Sequence, residues 1–393
     1  MKVMLGLSGG VDSAVCAYLL KEQGYDVVCC FMRNWDSMTN NDVLGNPTIN
    51  NDICPQEQDY LDAKAVADKL NLPMMRIDFI KEYWDNVFTY FLDEYKKGRT
   101  PNPDIFCNKY IKFGPFLDFA KKNGCDMIAM GHYAKKIIKN GETYLLKAKD
   151  LSKDQTYFLS QISHEQLISC IFPLGDISKK EVREIANKLN LESVMNKKDS
   201  TGVCFIGERN FKQFLENYLP AKQGNIVDIK TNRILGKHDG VMYYTIGQRK
   251  GLGIGGISGE IAKGWFVCKK DVKNNILYVA SGDEDEHLLS DLAIINQVNF
   301  FNGRIHDGQH IYCKFRYRQP DQGVTIYNIE NGDVKLIFDK PYKAVTPGQA
   351  AVLYDGEICL GGGLIDKTFY KNKEQSEEEE PIIKNVYIMG KIF

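Results

Sequence analysis

Three short stretches of this 393-residue chain carry residue types and spacings suited to chemistry. Ser8-Gly9-Gly10-Val11-Asp12-Ser13 follows a short apolar run, Val3 to Leu7, and precedes a segment from Ala14 to Leu20 that reads as helix, with Gly24 placed to cap its end. A strand that enters a glycine turn and then a helix start is an anion site. The glycines let the backbone approach, the first free N–H groups of the helix face the ligand, and Ser8 and Ser13 add hydroxyl donors. The expected anion is phosphate. No Lys follows as in a Walker A loop, and the spacing is not that of a G-x-G-x-x-G dinucleotide turn. Gly-Gly alone is satisfied by an ordinary tight turn; the full hexapeptide directly after a strand is more specific.

The second stretch is Asn102-Pro103-Asp104-Ile105-Phe106-Cys107-Asn108, within a segment from Arg99 to Lys109 whose two prolines predict irregular backbone. A thiol there is either exposed, its thiolate favoured by nearby N–H groups and Lys109, or a half-buried structural cysteine. Local sequence leaves both open. Asp104 is a candidate proton acceptor. The third stretch, Asp199 to Gly207, sets Cys204 where a polar, glycine-containing loop meets the apolar pair Phe205-Ile206.

The elements that must position these residues alternate. Val27 to Met32 has the continuous apolar character of a strand buried on both faces, and Asn34 to Pro55 reads as a long polar loop. Leu61, Ala65, Val66 and Leu70 mark a helix stripe, and Leu72 to Phe79 the next strand. Ile80, Trp84, Val87, Phe88, Phe91, Leu92 and Tyr95 keep helical spacing up to Gly98 and read as core. A helix from Gly114-Pro115 to Asn123 leads to a strand at Met127 to Met130, then Gly131-His132-Tyr133. This order predicts an α/β, doubly wound parallel sheet with ligands at the carboxyl ends of its strands, where the glycine loop, Met32 and Gly131 lie.

Further on, Asn140-Gly141 predicts a hairpin turn, Ser178-x-x-Glu181 a capping box, and Phe211, Phe214, Leu215 and Tyr218 a short helix ended by Pro220. The rest reads as β: a small β-rich central domain, with Lys273-Asn274-Asn275 as a hairpin tip, and a C-terminal antiparallel β-barrel from Leu292 to Phe369. The expected domains are 1–208, 209–284 and 285–370, with an acidic tail at 371–393.

Composition is that of a globular chain, 44% hydrophobic and 26% charged, with no run of membrane-spanning length. Gly9, Gly10 and Asp12 interrupt the hydrophobic start and argue against a signal peptide, so a cytoplasmic location is expected. Eleven cysteines without a C-x-x-C pair suggest core thiols rather than a disulfide scaffold. A net charge of −1 supplies no global attraction to nucleic acid, so local basic patches must hold any such partner.

The hexapeptide resembles the SGGxDS loop of the N-type ATP pyrophosphatases, which split ATP into AMP and pyrophosphate while adenylating a substrate. Together with Asn102–Asn108, Gly131-His132-Tyr133, Lys153-Asp154-Gln155, Asp199–Gly207, Thr245–Arg249 and Arg316–Gln319, it makes residues 1 to 367 similar to the bacterial tRNA-specific 2-thiouridylase family. The resemblance implies a pyrophosphatase domain, a central domain and a β-barrel, and ATP-dependent 2-thiolation of the wobble uridine, U34, of tRNA. It implies an ATP site at Gly6, Leu7, Ser8, Gly9, Gly10, Val11, Asp12, Ser13, Met32 and Gly131, with Mg²⁺ as cofactor and Asp12 its candidate ligand. Cys204 becomes the persulfide carrier, loaded by a sulfur-donor protein, Cys107 the second catalytic thiol, and Asp104 the proton-transfer group.

By the same resemblance, Asn102, Pro103 and Asp104 meet the flipped uridine, and His132, Lys153, Asp154, Gln155, Tyr317, Arg318 and Gln349 contact RNA. Lys314, Arg316 and Arg318 alternate, as if on one face of a strand. Some related thiolases carry an iron–sulfur cluster through a C-x-x-C; here Asp104-x-x-Cys107 stands in that place, which favours the metal-free persulfide route. The alternatives are another adenylating ligase of the pyrophosphatase group and an RNA-binding protein with a regulatory nucleotide domain. Neither explains both cysteines.

Overall fold

Depth in the sheet is set by side-chain alternation. In the computed structural model, which describes residues 1–198, 206, 209–220, 222–254, 264–303 and 305–375, the chain begins with β1 (Lys2–Gly6), α1 (Val11–Glu22), β2 (Asp26–Arg33), α2 (Pro55–Lys69) and β3 (Met74–Asp78). There follow α3 (Ile80–Tyr83), α4 (Thr89–Lys96), α5 (Pro103–Cys107), α6 (Pro115–Lys122), β4 (Met127–Ala129) and the hairpin β5 (Lys135–Lys139) and β6 (Glu142–Leu146). Then come α7 (Thr156–Leu159), α8 (His164–Ile168), β7 (Cys170–Ile171), α9 (Lys179–Lys188) and α10 (Phe211–Glu216).

The sheet is parallel, ordered β3-β2-β1-β4-β7. Along its strands Met4, Val28, Cys30 and Ile128 enter one core, while Val3, Leu5, Val27, Cys29 and Ala129 enter the other, so apolar residues are needed at every position. Strand order reverses at β1, and the crevice between the ends of β1 and β4 is the expected ligand site.

Local signals hold where local chemistry suffices. Gly24 takes φ +80° beyond α1, Ser178 and Glu181 form the reciprocal cap of α9, and Asn140 and Gly141 turn the hairpin with φ of 54° and 82°. Two expectations change. On α2 the buried stripe is Ala63, Val66, Ala67 and Leu70, with Leu61 and Ala65 exposed, because alanines let the helix lie close to the sheet. The segment from Arg99 to Lys109 is not irregular: Asn102 accepts a hydrogen bond from the Asp104 N–H, Pro103 occupies the first helical turn, and α5 runs into a π turn at Asn108–Lys112.

The central domain holds β8 (Gly224–Asp228), β9 (Ile234–His238), β10 (Trp265–Asp271) and β11 (Ile276–Ser281), ordered β10-β11-β8-β9. The last domain holds β12 (Leu289–Phe300), β13 (His310–Lys314), β14 (Gln322–Asn328), β15 (Val334–Lys343), β16 (Ala350–Asp355) and β17 (Ile358–Tyr370), an antiparallel barrel closed by β12 pairing with β17. Hairpin β5–β6 leaves the first domain to extend this sheet, with Leu145 opposite Cys359 and Leu146 opposite Ile358. The Asn299 amide also donates to the Ser160 and Ile162 carbonyls at 2.9 and 2.8 Å, fastening the barrel to the segment after α7.

Candidate active site

One cavity of about 420 Å³ opens at the carboxyl end of the parallel sheet, and Gly6 through Ser13, Met32 and Gly131 all line it. Its floor is close-fitting. Gly9 has φ +74°, and a Cβ there would stand 2.2 Å from the Asp59 carbonyl oxygen of α2. A Cβ on Gly131 would stand 3.1 Å from the Ser13 nitrogen, so the β4 end lies directly against the start of α1. Ser13 and Ser8 hydroxyls lie 3.1 Å apart, and Ser13 Oγ also accepts from the Ser8 N–H.

Basic side chains outnumber acidic ones on the cavity wall. Lys112, Lys197, Lys198 and Arg209 line it against the carboxylates Asp12 and Asp59. Lys197 Nζ donates to the Gly9 carbonyl at 2.9 Å and to Asp59 at 2.8 Å, which ties the glycine loop to α2. Burial alone would lower its pKa, but Asp59 and Asp62 outweigh that and hold it raised. Asp12 receives Lys179 Nζ at 2.7 and 2.8 Å and the Tyr133 hydroxyl at 2.7 Å. Among the described residues no three His, Cys, Asp or Glu gather as a metal cage. Asp12 and Asp59 are the carboxylates on the cavity wall, a donor set that would fit Mg²⁺, which takes few protein ligands and completes its shell with phosphate and water.

Sequence reasoning missed Lys179, Lys197 and the buried pair Arg209–Asp42, whose nitrogen and oxygen lie 2.9 Å apart with side chains 8% and 0% exposed. Trp35 Nε1 donates to the same carboxylate at 3.1 Å, so the long polar loop after β2 is pinned from within. These partners are distant in sequence. No local spacing announces them.

Cys107 ends α5 with no exposed surface, in the same core as Phe106, Ile111 and Ile206. The exposed alternative is therefore set aside: Pro103 and the Asn102 cap start a helix whose inner face carries the thiol inward. Cys204 lies outside the described residues, as do the rest of 199–205 and the tail beyond 375; Ile206 lines the cavity. Of the ten described cysteines only Cys54, also on the cavity wall, is exposed.

The candidate RNA residues divide. His132 and Gln155 line the cavity. His132 is 7% exposed, and burial, reinforced by Lys112, pushes its pKa well below the usual imidazole value, leaving a neutral ring. Gln155 Oε1 accepts from the Tyr133 N–H at 2.9 Å. Asn102, Pro103 and Asp104 are half-buried and Lys153 is partly exposed, whereas Asp154 is buried, accepting from the Ala148 N–H and the Thr156 hydroxyl. Tyr317 packs on Phe158 with ring centroids 4.4 Å apart, Arg318 is exposed, and Gln349 Nε2 donates to the Thr100 carbonyl at 2.6 Å. Lys314, Arg316 and Arg318 do not share a strand face. β13 ends at Lys314, which lies 3.8 Å from Asp154, and Arg316 is drawn inward to the Ile246 and Ala344 carbonyls at 2.8 and 2.9 Å.

Three family models match in succession: a tRNA methyl transferase HUP domain over residues 1–208, a tRNA methyl transferase PRC-barrel domain over 212–281, and an aminomethyltransferase beta-barrel domain over 290–365. The chain is 58% identical to the tRNA-specific 2-thiouridylase MnmA of Mycoplasma capricolum, covering 93% of this chain and 98% of that protein. It is 55% identical to the one from Metamycoplasma arthritidis, over 95% and 99%, and 52% identical to MnmA 1 of Geobacillus kaustophilus, over 93% and 95%. With relatives 52–58% identical along nearly their whole length and a matching HUP-domain model over residues 1–208, the chain belongs to the tRNA-specific 2-thiouridylase family.

Proposed function

We propose that this chain is an ATP-dependent tRNA sulfurtransferase that replaces the C2 oxygen of the wobble uridine, U34, with sulfur. The observation that carries the reading is the single cavity in which the glycine loop, Met32 and Gly131 meet His132 and Gln155, in a chain whose full-length relatives bear the 2-thiouridylase name. It binds ATP and tRNA, and takes sulfur from a persulfide-bearing donor protein in the cytoplasm. Among the described residues no helix is long and apolar enough to cross a membrane.

A uridine C2 oxygen is a poor leaving group, and transfer of AMP from ATP makes it a good one. Helix α1 and the loop N–H groups hold the phosphates, and Lys197 keeps the loop in place. Asp12 would hold Mg²⁺, which would supply charge neutralisation for the departing pyrophosphate. Cys204, loaded as a persulfide, attacks C2 through its terminal sulfur, and AMP leaves. Cys107 then attacks the inner sulfur, so the S–S bond breaks toward the uridine and a Cys107–Cys204 disulfide forms, which a dithiol reductant clears. Asp104 moves a proton beside this step. The target base reaches the cavity by leaving its stack, and Asn102, Pro103 and Asp104 meet it with His132 and Gln155 nearby, while Lys153, Tyr317, Arg318 and Gln349 hold surrounding RNA and the buried Asp154 braces the segment between them. The working units are 1–208, 209–284 and 285–370, with 371–393 as a tail.

Unmodified tRNA, ATP and a persulfide donor, assayed together for AMP and 2-thiouridine, test the reading. Both products are expected, and Cys204→Ser should abolish thiolation. AMP without thiolation would favour an adenylating ligase. Mass spectrometry after one turnover should find the Cys107–Cys204 linkage.

A further inference from the structure

Asn108 stands next to the buried thiol and opens the π turn that follows α5. Its side chain is 1% exposed, its Nδ2 donates to the Phe158 carbonyl at 2.8 Å, and its Oδ1 is buried without a partner among the described residues. π turns are rare and concentrate at functional sites, and an unpaired buried acceptor is costly to retain. The accepting carbonyl belongs to a segment that faces the ATP cavity. Phe158 N–H donates to the Gln155 carbonyl at 3.0 Å, Gln155 Oε1 accepts from Tyr133 N–H at 2.9 Å, and the Tyr133 hydroxyl reaches Asp12 at 2.7 Å. From the same π turn Lys109 Nζ donates to Gln161 Oε1 at 3.2 Å, and Gln161 Nε2 donates to the barrel's Gly362 carbonyl at 2.9 Å.

We propose that Asn108 is a positioning residue: its carboxamide fixes the Cys107 helix against the 155–158 segment, holding the thiol in register with the base-receiving cavity. Its loss uncouples sulfur transfer from adenylation. This rests on Cys107 being a catalytic thiol. Gln155 and Tyr133 are joined by two hydrogen bonds of their own, the second from Gln155 N–H to the Tyr133 carbonyl at 2.8 Å, so the ATP side keeps its geometry when Asn108 is changed.

The test uses the full chain with unmodified tRNA, ATP and a persulfide-loaded donor, reading pyrophosphate release and 2-thiouridine separately. Asn108→Leu should release pyrophosphate within about threefold of the parent rate while thiolation falls by about 100-fold, the cost of displacing a reacting group by about 1 Å. The loss should appear in kcat, with KM for ATP and tRNA little changed. Asn108→Ser, which keeps a donor, should recover about tenfold of that loss. If Asn108→Leu does not fold, Asn108→Ser decides, by a selective loss of thiolation. Pyrophosphate release and thiolation falling by equal factors, or thiolation unchanged in a folded variant, would overturn the proposal. Cys107→Ser is run alongside. Thiolation surviving in it refutes the role of Cys107 itself, whereas a dead Cys107→Ser with normal Asn108 variants refutes only the positioning role.

Discussion

Gly9→Ala puts the phosphate loop to a quantitative test. Gly9 sits at φ +74°, a left-handed conformation that costs an L-residue about 1–2 kcal/mol. The added Cβ would lie 2.2 Å from the Asp59 carbonyl oxygen and 2.9 Å from its carbon, atoms of the α2 backbone that have no rotamer to escape into. The loop must therefore shift by about 1 Å to regain van der Waals separation. That shift pulls the Gly9 carbonyl from Lys197 Nζ, now at 2.9 Å, a charged hydrogen bond worth about 1 kcal/mol once the one-third exposure of the lysine is discounted. Together these give about 2–3 kcal/mol against the ATP-binding geometry, or about 30–150-fold weaker binding. Gly24→Ala is the control: it has the same left-handed conformation, φ +80°, with nothing within 4 Å of its Cβ, and it does not line the cavity, so affinity should change by no more than about twofold. Calorimetric titration with ATP, and pyrophosphate release at varied ATP, measure both; a thermal melt shows that each variant is folded. Folded Gly9→Ala binding ATP as tightly as the parent, or Gly24→Ala weakened equally, would refute the reasoning.

Arg209→Met strands the fully buried Asp42 carboxylate and should lower stability by about 3–5 kcal/mol in urea unfolding, with Asp42→Asn in the same chain restoring part of it. Lys179→Gln removes the ammonium that holds both Asp12 oxygens and competes there with a cation, and should lower the Mg²⁺ concentration needed for pyrophosphate release by about tenfold. The depressed pKa of His132 makes the unfolded chain the better proton acceptor once pH falls below about 6.5. The stability associated with its neutral ring is therefore intact above that pH and declines as pH falls toward the lower folded-state value. The urea midpoint of His132→Gln should fall less between pH 7.5 and 5.5 than that of the parent, which takes up about one linked proton on unfolding in that range.

Features governed by a few neighbouring residues were legible in the chain: the glycine loop, the Asn140-Gly141 turn, the Ser178–Glu181 cap and the paired apolar strands around β1. The ten residues expected at the ATP site converge on one cavity because strand ends in a parallel sheet share one edge. The Cys107 helix has a local signal too, Asn102 before Pro103 as a helix start, but the same prolines break regular structure elsewhere, and only the Asn102 cap on the Asp104 N–H decides between the two. Arg209 with Asp42, Lys197 with Gly9 and Arg316 with its carbonyls depend on contacts between distant segments, for which spacing carries no mark. The same is true of the face that α2 buries, decided by how closely alanines let it approach.

Hairpin β5–β6 imposes an order on synthesis. Its partner residues, Ile358 and Cys359, leave the ribosome about 210 residues after Leu146, a wait of about 10–40 s at 5–20 residues per second. For that interval a nascent first domain displays an unpaired strand edge, and the hairpin finds its sheet only after Ile358 and Cys359 have emerged. Ribosome-bound chains halted before residue 350 should be far more open to chaperones and proteases at 135–146 than chains released after 370.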